Sequence, residues 1–203
     1  MRAVRRPPLA LRGGGAGAAR AAGPSAAHRR FSDAAAAADA RPLEGVRVLE
    51  MGQLIAGPFT GTVLAYFGAE VIKIEPPGGG DQLRRWRALD SDGTSYWTRS
   101  MMRNKKCLTL NMREERGREL AAELALKSDV LIENFRPGTM EKWGLGPERF
   151  EAEHPALIYT RISGYGQTGP HASRPGYASA CEGFGGFRYI VSALRRPPHT
   201  SVP

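Results

Sequence analysis

The chain predicts an α/β fold built on a parallel sheet, and three features of the sequence carry that expectation. Short β-branched runs recur between residues 46 and 162, helical stretches separate them, and Gly- or Pro-rich turns mark the joins. Strands that alternate with helices call for right-handed crossovers, which set the strands parallel and lay the helices against the sheet.

VRVLEM (46–51), bounded by Gly45 and Gly52, reads as a buried strand. Ala56-Gly57-Pro58 follows it. Pro58 suits a first helical position, where its missing N–H costs nothing and its ring presets φ. That helix is expected to reach about Phe67 and stop at Gly68. EVIKIE (70–75) is a second strand, and PPGGGD (76–81) a loop. KCLTLNM (106–112) reads as a third strand. EERGRELAAELALK (114–127) reads as an amphipathic helix with Leu120, Ala121 and Leu124 on one face. DVLIENF (129–135) is a further strand, RPG (136–138) a turn, and a short helix precedes Gly144. ALIYTRI (156–162) is the last clear strand and runs into SGYGQTGP (163–170). Phe187–Val191 offers one more strand, followed by a basic, proline-bearing tail with no acid after Glu182. No internal repeat is visible.

The chain carries 29 Lys+Arg against 20 Asp+Glu, a formal charge of +9. Such a balance ordinarily suggests nucleic acid or an anionic membrane. Its distribution points elsewhere, because residues 1–32 hold seven arginines and no acid, leaving +2 for the rest. Neither a nucleic-acid nor a membrane partner is therefore expected. The Ala-, Arg- and Gly-rich leader, with Ser25 and Ser32, has the composition of an organellar transit peptide. Its arginines interrupt any apolar core of the roughly 7–15 residues that a secretory signal needs. Residues 1–31 are expected to be a mitochondrial presequence addressing the matrix, cleaved after Phe31 in Arg29-Arg30-Phe31-Ser32, with 32–41 a linker. The alternative is a low-complexity N-terminus with no address. No apolar run approaches the ~18 residues of a membrane span. Cys107 and Cys181 share no CxxC or His-linked spacing, so packed thiols are expected and no metal site or disulfide.

No GxGxxG follows the first strand, which removes support for a dinucleotide site. Gly78-Gly79-Gly80 lacks the Gly-Lys-Ser/Thr of a phosphate loop, and GYGQTGP (164–170) is no nucleophile elbow. Four histidines form no Ser-His-Asp pattern, and His154 suits a helix end or loop. Glu50, Glu75 and Glu133 fall at strand ends, where open α/β sheets bind ligands; capping neighbouring helices is the competing role. Arg84, Arg85 and Arg87 around Trp86, with Arg99, Arg103, Lys105 and Lys106, form the richest cationic region. It suits either a solvated loop face or a nucleotide phosphate and adenine ring.

Four segments carry a resemblance: PLEGVRVLEMGQLIAGPFTGTVLAYFGAEVIKIEPPGGGD (42–81), RNKKCLTLNM (103–112), DVLIENFRPG (129–138) and LIYTRISGYGQTGP (157–170). In order and spacing they resemble the N-terminal third to half of the class III CoA-transferases, a family with carnitine and formyl-CoA transferases and α-methylacyl-CoA racemases. The resemblance implies an interlocked homodimer of ring-like subunits, each with a Rossmann-like large domain and a small domain. Coenzyme A or an acyl-CoA lies along the large domain as substrate, and no prosthetic group is implied. Residues 42–187 would be part of that large domain.

On the matching positions, Gln53 and Ile55 would face the active-site entrance. Leu110 and Arg113 would border the adenosine end, Asn134 and Phe135 the pantetheine and adenine, and Lys142 a phosphate. A polyanionic nucleotide needs such cations, and an adenine ring an apolar slot. Each residue equally suits ordinary surface or core, and Leu110 suits core best. The implied reaction moves CoA between succinyl-CoA and a dicarboxylate such as glutarate or hydroxymethylglutarate. An aspartyl carboxylate attacks the thioester to form a mixed anhydride, the expelled CoA thiolate returns to give an enzyme thioester, and the acceptor acid takes over the CoA.

The chain departs from the family pattern in places. Gly176-Tyr177-Ala178 stands where Gly-Tyr-Asp or Gly-His-Asp is usual, and Tyr177 argues against the racemase branch, which uses that His as a base. After Gly185-Gly186 the sequence diverges, and 188–203 is expected to be a disordered basic tail. The nucleophilic aspartate is expected beyond Pro203, so the sequence predicts a truncated chain, inactive alone. The competing readings are an acyl-CoA racemase or another transferase of the family, and a non-catalytic fragment that binds CoA or dimerises.

Overall fold

The computed structural model describes residues 41–193. The expected presequence, all but the last residue of the expected linker, and residues 194–203 lie outside the described residues.

Five strands form one sheet: β1 (Arg47–Glu50), β2 (Glu70–Glu75), β3 (Lys105–Thr109), β4 (Val130–Glu133) and β5 (Ile158–Arg161). All neighbouring pairs are parallel and the order is β3-β2-β1-β4-β5. The chain winds outward from β1 to β3, then returns to place β4 on the other side of β1. That reversal opens a crevice at the carboxyl ends of β1 and β4, the usual ligand position in such sheets. The α/β class with flanking helices is thus the one the sequence predicts.

The helices are α1 (Ala56–Tyr66), α2 (Tyr96–Met101), α3 (Glu115–Ala125), α4 (Thr139–Lys142), α5 (Pro147–Glu151), α6 (Ala178–Phe184) and α7 (Phe187–Ala193). Successive side chains of a strand face opposite ways, and β1 uses both faces. Val48 packs with Ala65, Ala69, Val71 and Ile132, on the α1 side. Leu49 packs with Ala121, Ala122, Ala125, Leu131 and Phe150, on the α3 side. Two-sided burial explains why Val48-Leu49 of β1 and Val130–Ile132 of β4 are consecutive apolar residues and not alternating ones.

Small residues let the helices approach closely. The buried face of α3 is Gly117, Ala121, Ala122 and Ala125, while Leu120 and Leu124 of the expected face are only half-buried. In α1, Pro58 is the third helical residue, and Gly68 (φ +105) follows the helix end. Between β2 and β3 a 3₁₀ turn (Gln82–Arg85) leads to α2, a helix absent from the sequence reading. Ser95 caps α2 through its hydroxyl, which accepts the Trp97 N–H at 3.2 Å.

Phe187–Val191, expected as a strand, is helical. It forms the second arm of a helical hairpin whose Gly185-Gly186 joint uses the left-handed φ (+79) of Gly186. In that arrangement the β-branched pair Ile190 and Val191 has no strand to pair with.

Candidate functional site

The carboxyl ends of four strands shape one cavity of about 280 Å³. Met51 and Gln53 enter from the segment after β1, and Ile74 and Pro76 from the end of β2. Leu110, Asn111, Met112 and Arg113 come from the segment after β3, and Phe135, Thr139 and Trp143 from β4 onward. The expected strand 106–112 in fact leaves the sheet after Thr109, which turns Leu110–Arg113 toward the cavity. The floor is apolar, formed by Met51, Ile74, Leu110 and Met112. One wall is aromatic: Phe135 meets Trp143 edge-on, with ring centroids 5.0 Å apart. Gln53, Asn111 and Thr139 offer hydrogen-bonding groups, and Arg113, exposed to solvent, is the cation of the lining. An apolar slot with a few converging polar groups and one cation suits a planar, anionic ligand.

Of the residues singled out from the sequence, Gln53, Leu110, Arg113 and Phe135 meet at this cavity. Asn134 does not line it. Its side chain instead grips Gln53, with Oδ1 accepting the Gln53 N–H at 2.7 Å and Nδ2 donating to the Gln53 carbonyl at 2.9 Å. Ile55 precedes α1 and exposed Lys142 ends α4, both outside the lining. Trp143, Met112 and Thr139 line the cavity and were not foreseen. The one signal for Trp143 was its place just before the helix-stopping Gly144.

Beneath the segment after β1 lies a buried ionic cluster. Lys73 Nζ contacts Glu50 Oε1 at 2.9 Å and Asp81 Oδ2 at 3.0 Å, and donates to the Gly52 carbonyl at 2.6 Å. Lys105 Nζ lies 2.7 Å from Glu50 Oε2 and donates to the Pro58 carbonyl at 2.6 Å. The side chains of Lys73, Glu50 and Lys105 are wholly inaccessible. Burial pulls the Lys73 ammonium down, but Glu50 and Asp81 outweigh it and leave it raised. At Lys105 burial prevails over Glu50 and holds the ammonium below its ordinary value. Asp81 also accepts N–H bonds from Leu54 (3.0 Å) and Leu83 (2.9 Å). Leu54 sits at φ 61, a left-handed conformation that costs a leucine roughly 1–2 kcal/mol.

The strand-end carboxylates are therefore engaged, and not in helix caps. Glu50 neutralises two lysines, and Glu75 pairs with Arg84 at 2.8 Å. Glu133 accepts Arg161 Nε at 2.9 Å and the Phe135 N–H at 2.7 Å, fixing an aromatic of the cavity wall. Burial holds the Glu133 carboxyl above its ordinary value despite Arg161. The cationic region is dispersed in the same way. Arg99 pairs with Asp90 and Asp92, Lys106 with Glu70, and Arg87 stacks 4.4 Å over the Trp86 ring. His154 Nε2 contacts the Ser128 carbonyl at 2.9 Å. Cys107, expected to be packed, is exposed because β3 is an edge strand, and Cys181 is half-buried. Among the described residues no group of three or more His, Cys, Asp or Glu could hold a metal ion. No described helix is long and apolar enough to cross a membrane.

The sequence profile of CoA-transferase family III matches residues 43–203. A succinyl-CoA–D-citramalate CoA-transferase of Chloroflexus aurantiacus is 49% identical over 158 residues, which is 78% of this chain and 39% of that protein. The human succinyl-CoA:glutarate CoA-transferase is 41% identical over 158 residues, 78% of this chain and 36% of that protein. Among solved structures, a CAIB/BAIF family protein from Brucella suis superposes with a TM-score of 0.74 at 38% identity, covering 81% of this chain and 44% of that one. The chain spans little more than a third of the length of the curated relatives it matches.

Proposed function

The chain belongs to CoA-transferase family III, and from that premise we propose that the cavity at the strand ends holds part of coenzyme A or an acyl-CoA. Residues 42–187 are then the CoA-binding part of a large domain. The single observation that carries this reading is the meeting of Gln53, Leu110, Arg113 and Phe135 at one cavity. Those four come from three separate segments, and each suits its part. Arg113 answers a phosphate, Phe135 with Trp143 and Leu110 form a slot for a ring, and Gln53 offers an amide to the pantetheine arm. Asn134 acts by holding Gln53. None of the residues so assigned is a nucleophile.

The finer reading is exchange of CoA between succinyl-CoA and a dicarboxylate such as glutarate or hydroxymethylglutarate. The names of the relatives support it: glutarate, citramalate and malate transferases all use succinyl-CoA and a dicarboxylic acid. A second copy of the chain is the proposed partner, in an interlocked homodimer. The malate enzymes of Chloroflexus, named as alpha and beta subunits, are in keeping with paired subunits. The acid-free, arginine-bearing residues 1–31 support import to the mitochondrial matrix. An N-terminus at Ser32 in the protein from isolated mitochondria would agree, and an intact Met1 would refute it.

The test of the cavity reading is a titration of the chain with CoA followed by tryptophan fluorescence, since Trp143 lines the cavity. Saturable quenching, competed by succinyl-CoA, is expected. Absence of any saturable change up to millimolar CoA, confirmed by calorimetry, would overturn it.

A further inference from the structure

The turn Gly52–Leu54 carries Gln53 to the cavity wall, and it is held from two sides. From the residue just after β4, the Asn134 amide pairs with both backbone groups of Gln53. From below, Asp81 accepts the Leu54 N–H with both oxygens, at 3.0 and 3.2 Å. Lys73 ties that carboxylate to the turn by donating also to the Gly52 carbonyl. Space is tight here. A Cβ on Gly52 would lie 2.8 Å from both Asn134 Oδ1 and Gly57 Cα, so the close approach requires glycine.

Leu54 adopts φ 61 although it is not a glycine. An L side chain keeps that conformation only where its surroundings over-determine it. The Asp81 carboxylate is the group that does so. Without it the Leu54 N–H would lose the carboxylate it donates to, and the turn would be held from the Asn134 side only. Asp81 is fully buried and is not itself a lining residue, so its influence on the cavity runs through its neighbours, the turn among them.

We propose that Asp81 is a positioning residue: its fixed carboxylate holds Leu54 left-handed and so presets Gln53 for the ligand of the cavity. A ligand then meets a formed wall and spends none of its binding free energy on ordering the turn. Lys73, 3.0 Å away, keeps the Asp81 carboxylate oriented while it does this. The inference rests on the CoA reading only for its affinity measurement. The state of the turn is measurable without any ligand.

The experiment has two readouts on the full chain, hydrogen exchange of backbone amides by NMR and CoA affinity. In the ligand-free wild type the Leu54 amide should exchange at least about a hundredfold more slowly than in an unstructured peptide. Asp81→Asn should accelerate Leu54 exchange while β1 and β4 amides stay protected, and should weaken CoA binding roughly tenfold. Leu54→Gly removes the strain that Asp81 opposes, so in that background Asp81→Asn should weaken binding by about threefold or less. A purely structural ion pair predicts no such relief. An unprotected Leu54 amide in the wild type, unchanged affinity in Asp81→Asn, or an equal penalty in both backgrounds would overturn the proposal. If the wild type binds no CoA, the CoA reading fails and the exchange pattern alone decides. If Asp81→Asn does not fold, wild-type exchange at Leu54 decides, slow exchange supporting the proposal and unprotected exchange refuting it.

Discussion

The side-chain amide of Asn134 is paired on both sides with the backbone of Gln53, accepting its N–H at 2.7 Å and donating to its carbonyl at 2.9 Å. This clamp bridges β4 and the segment after β1, across the point where the sheet reverses its winding. Asn134→Ala removes both bonds and leaves the Gln53 groups to find water. The expected cost is about 1–3 kcal/mol by urea unfolding, with weaker CoA binding in fluorescence titration. Asn134→Asp keeps the acceptor and loses the donor, so it should retain part of the clamp.

Lys73 holds two carboxylates and a carbonyl in a wholly buried site. Lys73→Met fills similar volume but takes from Asp81 its 3.0 Å cation contact and leaves Glu50 paired with Lys105. Breaking a buried ion pair in this way costs about 3–5 kcal/mol. A loss under about 1 kcal/mol by chemical unfolding would mean that the cluster is hydrated in solution.

Gly61 and Gly183 make opposite predictions for the same substitution. A Cβ on Gly61 in α1 would lie 2.0 Å from Glu50 Oε2, a carboxylate pinned by two lysines. A Cβ on Gly183 in α6 would meet nothing within 4 Å. Gly61→Ala should therefore destabilise by about 1–3 kcal/mol, against the usual helical gain. Gly183→Ala should be neutral or stabilise by up to about 1 kcal/mol. Thermal unfolding of the two variants side by side checks both signs.

Glu70 predicts the acid limb of the stability curve. Hydrogen bonds from Lys106 and Arg47 draw its carboxyl from an ordinary value of 4.5 down to about 2. Between those values the unfolded chain binds more protons than the folded one, so stability rises with pH there. The contribution is present above 4.5 and lost as the pH falls toward 2. Glu70→Gln should flatten this part of the melting-temperature profile, and salt should shrink the difference because the group is partly exposed to solvent.

The strands were legible because β-branched runs bounded by Gly and Pro mark VRVLEM, EVIKIE and DVLIENF directly. Helix α2 was not, since SYWTRSM carries no clear 3.6-residue period and its start depends on the Ser95 cap. Lys105 was read with a cationic loop face, yet it is buried against Glu50, a partner 55 positions earlier that no local pattern reveals. Ile190-Val191 suggested a strand by composition, but the Gly185-Gly186 joint made a helical hairpin. At the cavity, the resemblance picked out Gln53, Leu110, Arg113 and Phe135, while Trp143 and Thr139 reach it only through the turn that follows β4. Leu110 suited core on its residue type. It is half-buried, packing against the core while lining the cavity.

Arg113 is the cation of the cavity lining and is exposed to solvent. Arg113→Ala should lower CoA affinity roughly tenfold and leave the melting temperature unchanged. The loss should shrink at high salt and should be smaller for dephosphorylated CoA fragments. Calorimetric titration at two ionic strengths measures each.

The most direct test is to map CoA onto the isotope-labelled chain by NMR. Saturable shifts are expected at the amides of Gln53, Leu110–Arg113 and Phe135 and at the Trp143 indole N–H, all of which belong to the cavity lining. Shifts confined to residues 163–193, with those signals unmoved at saturation, would contradict the assignment of CoA to this cavity.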